Sequence, residues 1–385
     1  MKVYLITPVD LKYSYRATEG YVYNYAKYLK EHGIDAEILI TKKGDKHQRL
    51  LPNYKEVIKP YDTIAKKPVS CKEIVLPFKW HIFIYKDLPK EGTIYFPYSI
   101  YDYLFNLLFK PKGQKYMIGS HSMHLKMGRM IKNHEKLEWL LNFIVKSVLF
   151  LRRKEKGNIY FHVINSMQEA YLIKNFKINK KNIFYVPNFI DTRKYDLAKN
   201  SSKKLRVVHI GGIEKDANIV FDIIKLLDKK RILDKFEFYF IGKLDKQTEK
   251  QYSPLKNVHI LGQIDNRTKL KVLSSGDCMI IPSYETFSKT LLEGLLSGLY
   301  ILTSRKNSAV EDFVELGIKM YVADCGNPDE YVKELIDISN KKNYGEEVNQ
   351  SKMTNKKITR GRFDKKSILK EIFKMFRSIG NDEDR

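Results

Sequence analysis

Short apolar runs rich in β-branched and aromatic residues recur along the chain, each followed by a helix-length segment. KVYLIT (2–7) reads as a buried strand, Tyr21 to His32 as a helix stopped at Gly33, and Asp35 to Ile40 as a second strand. Together they make a βαβ opening. The loop 8–20 between them is long enough to reach a ligand beyond the carboxyl end of the first strand, and Gly20 is expected to begin the helix. Further strands are predicted at 93–96, 116–119, 160–164 and 183–186. The alternation restarts at 205–210 and continues through 237–241, 258–261, 278–281, 300–302 and 320–322. Between the two series, Lys194 to Lys204 is a polar run without apolar periodicity, where a linker is expected. Residues 340–357 read as a polar, loose tail. From 358 to 378 apolar positions return at helical spacing (Phe363, Ile368, Ile372, Phe373, Phe376) among many basic residues.

The predicted architecture is α/β, with two Rossmann-like doubly wound domains facing across a cleft. Their expected limits are 1–198 and 199–357, followed by a basic helix 358–385 that packs back on the first domain. Strand carboxyl ends and helix N-termini converge on ligands in such domains, so a site at those ends is implied.

A chain of 385 residues with 43% hydrophobic and 30% charged residues can bury two cores. No stretch reaches the roughly 18 to 20 uncharged apolar residues needed to cross a bilayer, and the N-terminus runs straight into a strand. The expectation is a protein neither secreted nor membrane-spanning. Cys71, Cys278 and Cys325 are odd in number and widely spaced, unlike a disulfide framework or a zinc site, and fit a reducing cytoplasm.

The formal net charge of +25 is uneven. Residues 1–200 carry 36 Lys and Arg against 18 Asp and Glu, or +18, whereas 201–385 carry 34 against 27, or +7. Such a first half is either a solvated Lys-rich surface or one drawn to phosphates, on nucleic acid or on the anionic inner face of a membrane. The apolar stripe of 134–150, capped by basic residues at 152–156, is likewise open to two readings: a core-facing helix or one lying on a membrane. A nucleic-acid reading lacks an RNP-like aromatic signature, zinc-finger spacing or a helix-turn-helix element, so no nucleic-acid partner is expected.

The chemistry-bearing stretch is PSYETFSKTLLEGLLSG (282–298), directly after the strand 278–281. Glu285 falls in the loop and Glu293 eight positions on, in the helix. A loop carboxylate can accept hydrogen bonds from sugar hydroxyls, amides at the helix start can bind a diphosphate, and Glu293 can reach a ribose. The same spacing is also satisfied by a capping residue and a solvated helix carboxylate.

Pro282, Ser283, Glu285, Phe287, Ser288, Glu293 and Gly298 together resemble the donor-site signature of retaining GT-B glycosyltransferases of family 4, and Asp277 resembles that family's usual Asp ahead of the strand. VPNFID (186–191) is similar to the end of the family's first domain, preceded by Ser166 where a strand-end Ser is usual. HIGGI (209–213) is similar to its phosphate loop, LGQI (261–264) to the turn that reads the base, and Arg362, Phe363 and Asp364 to the segment returning to the first domain. The resemblance implies a metal-independent hexosyltransferase that takes a UDP- or GDP-linked sugar as co-substrate and uses no cofactor. The acceptor would be a glycan or lipid-linked molecule of surface polysaccharide or glycoconjugate synthesis, met at the inner face of the cell membrane.

It implies catalytic roles for His121 (His124 being the rival), Glu285 and Lys215, and donor binding by Gly20, Gly211, Gly212, Gln263, Ile264, Thr286, Phe287, Ser288, Lys289 and Glu293. The departing phosphate oxygen would take the acceptor proton, so no dedicated base is required. Neither a hydrolase triad nor a D-x-D pair after a strand is present, which argues against a metal-dependent mechanism. The sequence departs from the pattern at Gly212 and Ala217, where an Arg and a Lys are usual; Lys215, and after it Lys289, are the nearby cations. Phe189 and Ser288 replace glycines, and Glu19 stands where a glycine often precedes Gly20. These losses leave a second reading open, a catalytically weak or silent homologue partnering another transferase. A nucleotide-sugar epimerase of the same architecture is a further alternative.

Overall fold

The computed structural model describes residues 1–7, 17–41, 66–76, 80–98, 100–101, 103–111, 113–121, 135–151, 158–195, 204–212, 216–283, 285–305, 307–324, 327–341 and 345–381. The chain forms two compact units, Met1–Asn188 with Ile368–Arg385, and Phe189–Ser367. The first change of unit therefore comes at 188/189, ahead of the polar run 194–204, and the second at 367/368 rather than at 357/358.

In the first unit, β1 (Lys2–Thr7), α1 (Ala17–Glu31), β2 (Asp35–Thr41) and β3 (Lys66–Val69) open the chain. An antiparallel hairpin of β4 (Cys71–Leu76) and β5 (Trp80–Tyr85) follows, which the sequence pattern does not anticipate. The unit continues through β6 (Thr93–Phe96), α2 (Leu104–Leu108), β7 (Lys115–Gly119), α3 (Glu135–Leu151), β8 (Ile159–Val163), α4 (Ser166–Phe176) and β9 (Ile183–Tyr185). A seven-stranded sheet runs in the order β3-β2-β1-β6-β7-β8-β9 with every pair parallel. Strands β1, β6 and β8 read as unbroken apolar runs because helices cover both faces of such a sheet. Helix α1 begins at Ala17, so Gly20 lies inside its first turn rather than at its start. Helix α3 sends Val145, Val148 and Leu149 into the core while Phe143, Phe150 and Leu151 are exposed. Among the described residues no helix is long and apolar enough to cross a membrane.

The second unit contains β10 (Leu205–Ile210), α5 (Ala217–Lys229), β11 (Phe236–Ile241), α6 (Lys246–Tyr252), β12 (Val258–Gly262), α7 (Asn266–Ser275), β13 (Cys278–Ile281), α8 (Lys289–Leu296), β14 (Tyr300–Ser304), α9 (Val310–Glu315), β15 (Tyr321–Ala323), α10 (Pro328–Lys341) and α11 (Gly345–Phe363). Its six-stranded sheet runs β12-β11-β10-β13-β14-β15, again all parallel. The order reverses between β10 and β13, the switch point at which open α/β sheets bind ligands. Asp277 anchors that pair at the opposite end of the strands: its carboxylate accepts from the Arg206 amide at 2.8 Å, and its own amide donates to Arg206 O.

The expectation of a loose tail over 340–357 is corrected, since α11 runs through most of it. Helix α11 is held by buried polar groups rather than by an apolar stripe, which is why hydropathy misses it. Asn355 exchanges two hydrogen bonds with the Lys319 backbone (2.9 and 2.7 Å), and Lys356 Nζ donates to Tyr195 O at 2.9 Å. The helix ends at Phe363, where Asp364 pairs with Ile190, and α12 (Lys365–Asn381) begins. From Ile368 onward α12 belongs to the first unit, burying Ile368, Leu369, Ile372, Met375, Phe376 and Ile379 there.

Candidate functional site

In the second unit the carboxyl ends of β10, β11 and β12 are joined through glycines. Gly211 N donates to Ile241 O at 2.8 Å and Gly242 N to Gly262 O at 2.8 Å. Gly242 has φ +136°, and a Cβ there would stand 2.9 Å from the carbonyl carbon and oxygen of Gly211, so only glycine lets these backbones meet. Gly211 and Gly212 directly follow β10, whereas Gly242 was not singled out; a glycine directly after the strand 237–241 was the available signal. Lys215 lies outside the described residues. Ala217 is fully buried in the core.

The loop after β13 carries the remaining donor-site candidates. Glu285 is half-buried, and its carbonyl accepts from Ser308 N at 2.8 Å, which holds the loop against the segment after β14. Thr286 is buried. The Phe287 ring packs with Phe313 and Phe363 at 5.4 and 5.6 Å between centroids, so its side chain is core. Ser288 caps α8, its Oγ accepting from Leu291 N at 3.2 Å. Lys289 then opens the helix. The residue is exposed at the surface while nearby protein atoms desolvate its ammonium, which lowers its pKa; Glu293 opposes that shift, and the cations of Lys269 and Lys194 add to it.

Glu293 is buried on the inner face of α8. Both carboxylate oxygens accept from Lys269 Nζ, at 2.9 and 3.0 Å, and Oε1 also accepts from Tyr195 OH at 3.3 Å. Sequence reasoning missed both partners. Lys269 and the fully buried Leu273 are one turn apart on α7, so a lysine on the core side of a polar helix was the readable sign. Tyr195 is held in turn by Lys356 and Arg360, which donate to its carbonyl at 2.9 and 3.2 Å. A cavity of about 380 Å³ opens beside Tyr195, with Lys194, Arg267 and Lys271 in its lining. Exposed Gln263 and half-buried Ile264 form the turn between β12 and Asp265, which caps α7 by accepting from Thr268 N at 2.9 Å.

The first unit places His121 just after β7. Its ring stacks on Tyr21 at 5.6 Å and lies near Tyr25, one face of α1. Gly20 is buried next to Tyr21 in that helix. The Tyr95 hydroxyl lies 3.0 Å from both His121 Nε2 and His162 Nδ1, and His162 Nε2 is 2.8 Å from Val186 O. Burial lowers the pKa of both histidines, that of His162 to about 4; the neighbouring His162 lowers that of His121 further, against a smaller opposing effect of Asn188. Ser166 opens α4, but the cap is Asn165, whose Oδ1 accepts from Gln168 N at 2.8 Å. In the second unit, Phe189 lies under the Lys365 ammonium at 5.8 Å, and Thr192 Oγ1 donates to the carboxylate of Asp364 at 2.6 Å. His124 and Cys325 lie outside the described residues.

Residues 204–341 match the model of a family described as glycosyl transferases group 1. A comparison of the whole sequence with curated proteins found no match. Among solved structures, the chain is similar to sucrose-phosphate synthase from Thermosynechococcus elongatus, with a TM-score of 0.70 and 12% identity over 99% of both chains. It is similar to Anabaena HepE in complex with UDP and glucose, with a TM-score of 0.65 and 11% identity over 98% of this chain and 100% of that one. It is also similar to WaaG, a glycosyltransferase involved in lipopolysaccharide biosynthesis, with a TM-score of 0.60 and 11% identity over 98% and 99%. The fold is that of the GT-B glycosyltransferases.

Proposed function

We propose that this protein is a retaining glycosyltransferase that moves a hexosyl group from a UDP- or GDP-sugar to a glycan or lipid-linked acceptor. The observation that carries the reading is the strand, loop and helix unit 278–296 at the switch point of the second sheet. There a half-buried carboxylate, a helix N-terminus and a buried carboxylate follow one another from Glu285 to Glu293. The match of 204–341 to glycosyl transferases group 1 supports it. In this reading Glu285 meets the transferred sugar. The 286–289 backbone and Lys289 meet the diphosphate, and Lys215 is the other candidate cation for it. Glu293 meets the ribose, Gln263 and Ile264 the base, and Gly211 and Gly212 give the phosphates room, while Gly20 is the donor-binding candidate of the first unit.

The cations around Lys289 support an anionic ligand in particular. Lys269 and Lys194 disfavour its charge, and a diphosphate placed among the three would relieve that repulsion and stabilise the leaving group. The neutral state of His121 suits a hydrogen-bonding role better than proton transfer. The leaving phosphate oxygen takes the acceptor proton, without metal or cofactor. The +18 charge of residues 1–200 supports approach to an anionic membrane surface in surface-glycan synthesis, from the cytoplasmic side.

Binding and slow hydrolysis of UDP-, GDP- and ADP-sugars by the purified protein test this reading, with Glu285→Ala and Glu293→Ala as controls. One donor should bind and be hydrolysed with the anomeric configuration retained, and both variants should abolish turnover. Inversion at the anomeric carbon would overturn the retaining mechanism. The second reading, a silent partner subunit, is favoured by Gly212 and the buried Ala217 in place of phosphate-binding cations. It predicts no turnover with any donor.

A further inference from the structure

The hydrogen bonds around Tyr95 can be ordered from one end. Val186 O is a carbonyl and only accepts, so the proton at 2.8 Å belongs to His162 Nε2. His162 is fully buried and neutral at pH 7, which leaves its Nδ1 a bare acceptor. Tyr95 OH therefore donates to His162 Nδ1 at 3.0 Å, and having one proton, it must accept from His121 Nε2 at 3.0 Å. His121, neutral as well, then carries its proton on Nε2 and a bare lone pair on Nδ1. That Nδ1 atom is buried and makes no hydrogen bond of proper geometry, and the same holds for Asn188 Oδ1. Asn188 lies beside His121, and its amide turned to present its NH₂ would satisfy Nδ1.

We infer that Tyr95 and His162 are positioning residues that lock His121 into the Nε2–H tautomer, so that its ring can only accept a hydrogen bond at Nδ1. The chain of donors runs one way, from His121 through Tyr95 and His162 to Val186 O. Both of its ends meet the same short stretch, Val186 by its carbonyl and Asn188 by its side chain, immediately before the polypeptide passes into the second unit. Tyr25 packs edge-on to Tyr95 and beside both imidazoles. His121 thus accepts a hydrogen bond at Nδ1 and cannot donate one there. The tautomer itself is independent of the enzymatic reading; its catalytic consequence rests on His121 belonging to a transferase site.

Long-range ¹H–¹⁵N spectra of the full-length protein labelled at histidine, near pH 7, read tautomers directly. His121→Gln and His162→Gln assign the signals. The wild type should show both residues neutral with the proton on Nε2, and Tyr95→Phe should shift His121 toward the Nδ1–H form while His162 keeps its Nε2 proton. An Nδ1–H signature for His121 in the wild type overturns the inference, and that measurement needs no variant to fold. So does a Tyr95→Phe spectrum unchanged at His121. With a donor sugar that the wild type turns over, Tyr95→Phe should lower kcat on the order of tenfold with donor KM unchanged, and an unaltered kcat beside a shifted tautomer overturns the positioning role. Absence of turnover in the wild type counts against the transferase reading alone, because the spectra still decide the tautomer.

Discussion

Replacing Lys269 by methionine would remove the only cation bonded to Glu293 among the described residues while keeping an unbranched chain on the core side of α7. The pair is close, at 2.9 and 3.0 Å, and little exposed, at 19% and 6% of side-chain area. At that separation the gross attraction is about 5 kcal/mol for an effective dielectric constant near 20. Desolvation of both charges offsets most of it, so the net worth of the pair is small. Breaking it is different, because the carboxylate is left buried with only the Tyr195 hydroxyl at 3.3 Å. The expected loss is about 3–5 kcal/mol, which for a unit of this size lowers the melting temperature by about 6–20 °C. Urea unfolding of the wild type, Lys269→Met, Glu293→Gln and the double variant forms the cycle. The double variant should lie within about 2 kcal/mol of wild type, giving a coupling of at least about 2 kcal/mol. A loss below about 1 kcal/mol in Lys269→Met, or additive singles, would refute the reasoning.

Three further outcomes are expected. His162 is held neutral down to about pH 4, so between the usual histidine value near 6.5 and pH 4 the unfolded chain binds a proton that the folded one does not. Stability is therefore complete above pH 6.5 and falls by about 3 kcal/mol as pH drops to 4; urea midpoints measured across that range should flatten in His162→Gln. Lys289 titrates below the usual lysine range, so donor affinity should weaken at alkaline pH as its charge is lost. Lys289→Met should bind donor weakly and without that pH dependence, as read by calorimetric titration. Gly242→Ala should cost about 1–3 kcal/mol, because the new Cβ meets the Gly211 carbonyl in a left-handed backbone. Thermal melts check the loss, and Gly33→Ala supplies the comparison of equal handedness with open space around the Cβ.

The repeating apolar runs by themselves determined the architecture. A strand buried on both faces must be continuously apolar, so most strands of both parallel sheets were legible, whereas the edge strand β3, KKPV, carries no such run, and the switch point beside 282–298 appeared only with the sheet order. Local chemistry was equally legible where it is local: the loop leading from β13 into α8, and the glycines at the end of β10. The tertiary structure decided whatever depends on residues distant in sequence. It alone joined Lys269, Glu293 and Tyr195 from three separate segments, and His121, Tyr95, His162 and Val186 from four. It turned 345–357 from an apparent tail into helix, because Asn355 and Lys356 are buried by hydrogen bonding to Lys319 and Tyr195. Hydrophobic patterning records only which side chains avoid water, and a buried polar group, satisfied by a partner far along the chain, leaves no such trace.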